Sequence, residues 1–318
     1  MAQKLIIDTD TAVDDALAVL MALCAGSVTV EALTVVAGNV EFEYEVENVK
    51  YTLDLAGRAE SVPVYEGARR PLVKDLGHAT HVHGEGGLGG DLRPETGIPS
   101  ADEHAVDAIV DAARASPGEV SLACLGPLTN VALALRREPS LGDLLDEVVV
   151  MGGAVNTLGN ETPAAEFNFW ADPDAAKVAL RELDVTLVDW GLTTRAGVIE
   201  GTAIERIADA ETAYADFFST ITAHGRAFAR EQRGVDGVTL PDPLAMACLL
   251  QPDLVTADGT YFVDVDEREG MTRGYSLVDE HGVTDGDPRT RVVEAVDERQ
   301  FERMVLDTLL HGDPERSL

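Results

Sequence analysis

The sequence predicts an α/β fold: a Rossmann-like, mostly parallel central sheet flanked by helices, with a helical insertion and a small C-terminal strand extension. Short apolar runs alternate with amphipathic segments from the N-terminus to Asp189, and such alternation requires crossover connections between parallel strands. The 318 residues are 45% hydrophobic, enough to bury a sizeable core. No internal repeat or Pro-, Gly- or Ser-rich linker divides the chain, so we expect residues 1–318 to form a single domain.

The first elements follow from hydrophobic periodicity and helix-end signals. The predicted strands are residues 4–8, 29–36 and 62–65. A helix over residues 14–25 opens with acidic residues, which suit a helix N-terminus. The next helix, residues 42–57, is amphipathic and ends at a glycine, a residue typical of helix C-termini.

The same alternation continues through the middle of the chain. The predicted strands there are residues 120–125, 147–151 and 185–189, and the predicted helices are residues 103–115, 130–137 and 172–183. The last of these helices begins at an Asp-Pro pair, a common helix start. Helical patterns dominate from about Arg195, which predicts the insertion. Strand-like stretches at 261–265, 274–278 and 291–296 form the predicted C-terminal extension.

The charge balance excludes two classes of partner. The chain has 24 Lys+Arg against 57 Asp+Glu, a formal net charge of −33, and nucleic acid or an anionic membrane would be repelled. Lysine is nearly absent, occurring at positions 4, 50, 74 and 177. A surface so rich in carboxylates needs screening, so we expect a salt-adapted protein whose free energy of unfolding rises with KCl. Maximal stability in low salt would indicate a merely acidic protein.

The apolar runs and the cysteines indicate neither a targeting segment nor a disulfide or metal site. The short apolar run before Asp8 does not read as a secretory signal, and the charge-free run at 16–30 is too short and too interrupted to span a bilayer. The cysteines Cys24, Cys124 and Cys248 form no CxxC pair and suggest neither a disulfide framework nor a zinc site. We therefore expect a cytoplasmic protein.

Four aspartates follow the first predicted strand within eight residues: Asp8, Asp10, Asp14 and Asp15. A helix N-terminus offsets only part of their mutual repulsion. A hard divalent cation with oxygen ligands, Ca²⁺ or Mg²⁺, would offset the rest. The alternative interpretation is an acidic helix start without a ligand. Asp242, in Leu-Pro-Asp-Pro-Leu-Ala, is an N-terminal helix residue unless the fold returns it to this cluster.

Two glycine-containing loops are the other candidate site segments. The loop that follows Gly152-Gly153-Ala154 carries Asn160, Glu166 and Asn168, whose side chains can bind sugar hydroxyls. The Gly-rich segment at residues 81–90 lacks the flanking strand and helix of a phosphate loop. It is interpreted as a mobile flap that carries one or two histidines.

Six motifs occur along the chain in this order: Asp8-Thr-Asp-x-x-x-Asp-Asp, Ala37-Gly-Asn, Gly126-Pro-Leu-Thr-Asn, Met151-Gly-Gly-Ala, Glu166-Phe-Asn and Asp242-Pro-Leu-Ala. Together they resemble the motifs of the inosine–uridine preferring nucleoside hydrolase family. The resemblance spans roughly residues 4 to 250 and implies a Ca²⁺-dependent enzyme that hydrolyses a ribonucleoside to ribose and free base. It also implies a homodimer or homotetramer.

Individual roles are carried over from the resemblance. The implied metal ligands are Asp10, Asp15, Asp242 and the carbonyl of Leu125. Asp10 is also the implied general base toward a Ca²⁺-bound water, and the implied transition state is oxocarbenium-like. The residues implied to bind the ribose hydroxyls or to line their pocket are Asp14, Asn39, Met151, Asn160, Glu166 and Asn168. Asp8 is expected to support the site without binding the metal.

The leaving base has no obvious proton donor. Many members of the family carry a histidine directly before the far aspartate, and this chain has Pro241 there. The substitutes considered are His83, on the Gly-rich segment, and His224, in the predicted insertion. Stacking on Trp170 is a third route. The base preference and the choice between Ca²⁺ and Mg²⁺ stay open.

Two other functions compete with this prediction. A haloacid dehalogenase-like phosphatase also opens with a strand and Asp-x-Asp, but Ala12 stands where that pattern needs Thr or Val, and neither Lys74 nor Lys177 has a convincing context. A Ca²⁺-dependent nucleoside or ribose binding protein would keep the same polar residues, with Pro241 marking weak or altered catalysis. Turnover separates the second possibility from an enzyme.

Overall fold

The computed structural model describes residues 2–90, 92–233 and 236–312. Nine strands form one sheet in the order β10-β9-β11-β6-β5-β4-β1-β2-β3, and β7 pairs with β8 in a separate antiparallel ribbon. The strands are β1 Gln3–Thr9, β2 Val28–Val35, β3 Val64–Glu66, β4 Val120–Cys124, β5 Leu145–Met151, β6 Val185–Val188, β7 Val198–Glu200, β8 Gly237–Thr239, β9 Val255–Val265, β10 Ser276–Asp279 and β11 Thr290–Val296.

Thirteen α-helices occur in the described residues. They are α1 Val13–Cys24, α2 Phe42–Leu55, α3 Thr80–His83, α4 Ala105–Ala115, α5 Thr129–Arg137, α6 Leu141–Leu144, α7 Phe167–Ala171, α8 Pro173–Glu182, α9 Trp190–Ala196, α10 Thr202–Ala208, α11 Ala213–Arg233, α12 Pro241–Leu250 and α13 Glu298–His311. Within the described ranges, no helix is both long enough and apolar enough to cross a membrane.

The sheet is buried on both faces, as a parallel sheet of alternating α/β connections must be. Successive residues of β1 show this directly, since Leu5 and Ile7 join one apolar cluster and Ile6 joins the other. Helices α1, α2, α12 and α13 pack on the first face. Helices α4, α5 and α8 cover the second face.

The predicted fold class is confirmed. Strands from β3 to β11 across the sheet are all parallel, and only β9 and β10 at one edge run antiparallel to their neighbours. The largest error is at β9, which begins at Val255 where the prediction begins at 261. Residues 256–260 are polar or small and mostly exposed, and they become a strand because they pair with β11.

Candidate active site

A cavity of about 500 Å³ opens at the carboxyl ends of the central parallel strands, the edge at which open α/β sheets bind ligands. Most of the side chains predicted from the sequence line it: Asp14, Asn39, His83, Leu125, Met151, Asn160, Glu166, Asn168 and Asp242. Asp10 and Asp15 are fully buried, with 0% exposure. The fold therefore gathers residues from distant parts of the chain around one cavity.

Three carboxylates meet where α1 packs against α12. Asp14 and Asp15 lie in the first turn of α1, and Asp242 lies in the first turn of α12. Each offers an oxygen within 4.8 Å of the oxygens of the other two. The fold thus brings Asp242 next to Asp14 and Asp15. This is the arrangement under which Asp242 was expected to be a site residue.

Burial raises the pKa of all three carboxylates. The pKa of Asp14 rises to about 6, chiefly through desolvation. The pKa of Asp15 also rises to about 6 through burial and the nearby charge of Asp14, although Thr9 Oγ1 and the Ala12 amide donate to its oxygens at 2.6 and 3.0 Å. Burial and repulsion from its neighbours hold the pKa of Asp242 well above its usual range. A cation among these oxygens would offset both effects.

Asp10 lies in a cradle made by two glycines. A Cβ at Gly38 would stand 2.0 Å from Asp10 Oδ2, and one at Gly126 would stand 2.6 Å from Oδ1. The amide of Asn39 donates to Oδ2 at 3.0 Å, whereas Oδ1 is buried without a hydrogen-bond partner in the described residues. Burial, together with Asp15 and Glu45, raises the pKa of Asp10 well above its usual range. The glycines of two sequence motifs are therefore needed to admit this carboxylate.

Two of the metal ligands implied by the resemblance, Asp15 and Asp242, belong to this group of three carboxylates. The group of three carboxylates within 4.8 Å contains Asp14, which the resemblance implies to be a ribose-binding residue. The group does not contain Asp10, which the resemblance implies to be a metal ligand. Leu125 lines the cavity, and its carbonyl accepts a hydrogen bond from Asn168 Nδ2 at 2.8 Å. Asp8 is not one of these three carboxylates, and its Oδ1 accepts from Thr34 Oγ1 and Asn130 Nδ2 at 2.6 and 2.8 Å.

The wall opposite the aspartates is built on α7. Glu166 caps this helix by accepting from the amides of Asn168 and Phe169 at 2.8 and 3.2 Å, and it also accepts from the Gly153 amide at 2.8 Å. Burial raises the pKa of Glu166 to about 7. Asn168 Nδ2 also reaches the Met151 carbonyl at 3.2 Å. Asn160 is exposed, and its Oδ1 accepts from the Phe167 amide at 2.9 Å.

The two candidate histidines are placed differently. His83 ends α3 and lines the cavity, with its Nδ1 4.0 Å from Asp14 Oδ1 and a side chain 14% exposed. Burial lowers its pKa to about 4, so the ring is neutral near neutral pH. His224 is exposed on α11 and is not among the residues that line the cavity. The structure does not bring it to the predicted site, whereas Pro241 is at the cavity wall.

The Gly-rich segment is buried at residues 86–89, whereas His81 and Val82 at its start are exposed and line the cavity. Its mobility stays a prediction. Leu88 has 0% exposure and belongs to the main apolar cluster. Asn48 Nδ2 donates to the carbonyls of Thr11 and Gly86 at 3.0 and 2.9 Å, which ties the segment to the aspartate loop. Gly89 approaches Ile221 so closely that a Cβ would stand 2.2 Å from its carbonyl oxygen.

Only one of the two tryptophans in the described residues, Trp190, lines the cavity. Trp190, the first residue of α9, lines the cavity, together with Ile221 and Thr222 of α11. Trp170 does not line it, and its ring packs against the guanidinium of Arg273, 4.3 Å from the ring centroid. The position of Trp190 directly after a buried parallel strand was the available signal. The α11 residues had none, because only tertiary packing aims that helix at the cavity.

Comparisons with known proteins point to one family. The sequence model of the inosine-uridine preferring nucleoside hydrolase family matches residues 5–303. The pyrimidine-specific ribonucleoside hydrolase RihA of Enterobacter sp. (strain 638) is 34% identical, over 97% of this chain and 98% of that protein. The solved plant nucleoside hydrolase PpNRh1 has a TM-score of 0.91 at 30% identity, covering 98% of this chain and 99% of that chain. The purine-preferring ribonucleoside hydrolase from Gardnerella vaginalis has a TM-score of 0.89 at 30% identity, with the same coverage.

These relatives share the fold and nearly the whole length of the chain. The strand-end cavity and its carboxylates lie within the matched residues. This chain is an enzyme of the inosine-uridine preferring nucleoside hydrolase family.

Proposed function

We propose that the protein hydrolyses the N-glycosidic bond of ribonucleosides to ribose and free base, with Ca²⁺ as its metal. The observation that carries the proposal is the group of Asp14, Asp15 and Asp242 within 4.8 Å, beside the buried Asp10, at a cavity of about 500 Å³. That volume suits a small-molecule ligand. Nucleosides are also the substrates named for the relatives.

The residues present fit a hard divalent cation. All the candidate donors are oxygens: the carboxylates of Asp10, Asp15 and Asp242, and the carbonyl of Leu125, with Asp14 at the same cluster. The buried Oδ1 of Asp10, which has no hydrogen-bond partner among the described residues, supports a role in binding a cation. When bound, the cation supplies positive charge that lowers the pKa of water and compensates the crowded carboxylates.

Asp10 is proposed as the general base that takes the proton from the attacking water. Its carboxylate is held by the Asn39 amide and by the two glycine contacts, so its orientation is set before substrate binds. The acidic cluster also stabilises the positive charge that develops on the sugar in an oxocarbenium-like transition state.

The ribose hydroxyls are proposed to bind Asp14, Asn39, Asn160, Glu166 and Asn168, next to Met151. All six residues line the cavity. Glu166 and Asn168 are fixed by backbone hydrogen bonds, which support a preformed sugar site. Binding the sugar in one orientation places its anomeric carbon for attack.

For the leaving base, His83 is proposed in preference to His224 because only His83 lines the cavity. Its ring is neutral near neutral pH, so its contribution is a hydrogen bond from the N–H to the departing base. Trp190 and the α11 residues offer an apolar surface to the base. A homodimer or homotetramer and a cytoplasmic location stay predictions.

The experiment is the release of free base and reducing sugar from inosine, uridine, cytidine and adenosine, in high KCl with Ca²⁺ or EDTA and without phosphate. Equal amounts of base and ribose, released only with Ca²⁺, are the expected result. Pro241 favours one second candidate, a nucleoside or ribose binding protein with weak catalysis. Calcium-dependent nucleoside binding without any release would establish that candidate instead.

A further inference from the structure

The hairpin that joins β9 to β10 contacts the end of helix α7. Arg273 Nε donates to the Trp170 carbonyl at 2.9 Å, and Nη2 donates to the Ala171 carbonyl at 3.2 Å. These are the last two carbonyls of α7, and terminal carbonyls of a helix have no intrahelical partner. The guanidinium also stacks on Trp170, 4.3 Å from the ring centroid. One side chain thus caps the helix and fixes its final aromatic residue.

The same hairpin contacts the loop that follows β5. Ser276 Oγ accepts from the Ala154 amide at 3.0 Å, and a Cβ at Gly153 would stand 2.7 Å from that oxygen. Gly274, at φ +77°, brings its backbone so close that a Cβ would stand 2.6 Å from Trp170 Cα. Both segments behind the sugar wall of the cavity are therefore held by residues far along the chain.

These contacts matter because α7 cannot hold its own position. It has five residues, and a helix that short is not stable without tertiary contacts. Yet its N-cap is Glu166 and its second residue is Asn168, two of the proposed sugar-binding groups. The Gly153 amide, which donates to Glu166, lies beside Ser276. Movement of the hairpin would shift all of these groups together.

We infer that Arg273 is a positioning residue for the sugar-binding wall, acting through the Trp170 and Ala171 carbonyls at the end of α7. The inference rests on the proposed function. Arg273 is 9% exposed, and its Nη1 is 3.9 Å from Glu269, a mostly exposed carboxylate. Burying a guanidinium costs free energy, and the planar fork serves here to reach two carbonyls and an aromatic face at once. A lysine cannot make all three contacts.

The test compares Arg273→Met and Arg273→Lys with a control on the same hairpin, Arg268→Met. The Arg268 side chain is 80% exposed and donates to the Asp266 carboxylate at 2.7 and 2.9 Å. Each protein is assayed with Ca²⁺ on uridine and on its three monodeoxy analogues, and unfolding is followed in parallel. Each analogue gives the factor by which loss of one ribose hydroxyl lowers kcat/KM.

Arg273→Met is expected to lower kcat/KM for uridine about tenfold, mainly through KM. For at least one analogue, the factor by which loss of the hydroxyl lowers kcat/KM should also be about threefold or more smaller in this variant than in the wild type. The reason is that displaced residues of the sugar-binding wall no longer bind that hydroxyl. Arg273→Lys should recover part of both effects, and Arg268→Met should match the wild type. A lower melting temperature with unchanged KM and unchanged hydroxyl penalties would overturn the inference and leave Arg273 a purely stabilising residue.

Failure of the proposed function gives a different result. If the wild-type chain releases no base from uridine, the hydrolase proposal fails. The same proteins are then compared by calorimetric titration with uridine in Ca²⁺, where no turnover interferes. A weaker Kd for Arg273→Met than for Arg268→Met supports the positioning role, and equal Kd values overturn it.

Discussion

Replacing Asp14 by Asn should stabilise the metal-free protein. Desolvation raises the pKa of Asp14 from 3.8 to about 6, which corresponds to about 3 kcal/mol between its two protonation states. The side chain is 14% exposed, so solvent screening removes little of that effect. Asparagine keeps the shape and removes a charge that repels Asp15 and Asp242. For a chain of this size we expect the melting temperature to rise by roughly 5 °C.

The pH dependence follows from the direction of the shift. A carboxyl group with a raised folded-state pKa favours the folded state below its unfolded pKa, and this contribution is lost as pH rises through the folded pKa. The stabilisation of Asp14→Asn over the wild type should therefore be about half as large at pH 5 as at pH 7.5, where it reaches its full value of about 3 kcal/mol. Charge effects common to both proteins cancel in the difference.

The assay is thermal unfolding in EDTA at both pH values, with Asp111→Asn as the control. Asp111 is exposed on α4, so its replacement removes the same charge from the surface. With Ca²⁺ at about 1,000 times its Kd, the order should reverse, because the ligand then stabilises the wild type by about 4.1 kcal/mol and stabilises the variant, which lacks one carboxylate of the cluster, by less. An Asp14→Asn protein no more stable than the wild type in EDTA at the higher pH would refute the charge-crowding argument.

Three further outcomes are expected. Gly38→Ala should abolish most activity and destabilise the chain by about 1–3 kcal/mol, because its Cβ would stand 2.0 Å from Asp10 Oδ2. The control is Gly26→Ala, whose Cβ would have nothing within 4 Å and which should change neither activity nor the free energy of unfolding. His83→Ala should lower kcat about 100-fold. This factor should be constant across neutral pH, because burial lowers the pKa of His83 to about 4. A wild-type pH–rate profile with a limb near pH 6.5 that the variant lacks would contradict this. Deoxyribonucleosides should be cleaved much more slowly than ribonucleosides, and equal rates would argue against hydroxyl recognition by the proposed sugar-binding residues.

The sheet was predictable because its parallel strands are buried on both faces. Runs such as Leu5-Ile6-Ile7 have no exposed position, so they read as strands from composition alone. The start of β9 was not predictable, since Thr256-Ala-Asp-Gly has the composition of a loop and is a strand only by pairing with β11. Short helices such as α3 and α7 are held by tertiary contacts and leave little periodic signal.

The site was predictable where its residues follow strands. Asp10, Asn39 and Leu125 come directly after β1, β2 and β4 or within a few residues of them, and neighbouring parallel strands end at the same edge. The cavity residues on α11 do not follow a strand, so their position could not be predicted in this way. Its helix phase decides which side chains face inward, and Ile221 does so while His224 faces solvent. Spacing within one helix could not distinguish them.

The most direct test of the central claim is Ca²⁺ titrated back into EDTA-treated protein while uracil release from uridine is recorded, for the wild type and for Asp242→Asn. Asp242 is far from Asp14 and Asp15 in the sequence and joins them only through the fold. We predict that release is absent in EDTA, returns with Ca²⁺, and needs at least about tenfold more Ca²⁺ in the variant. Full activity in EDTA, or identical titrations for the two proteins, would contradict a metal-dependent hydrolase built on these carboxylates.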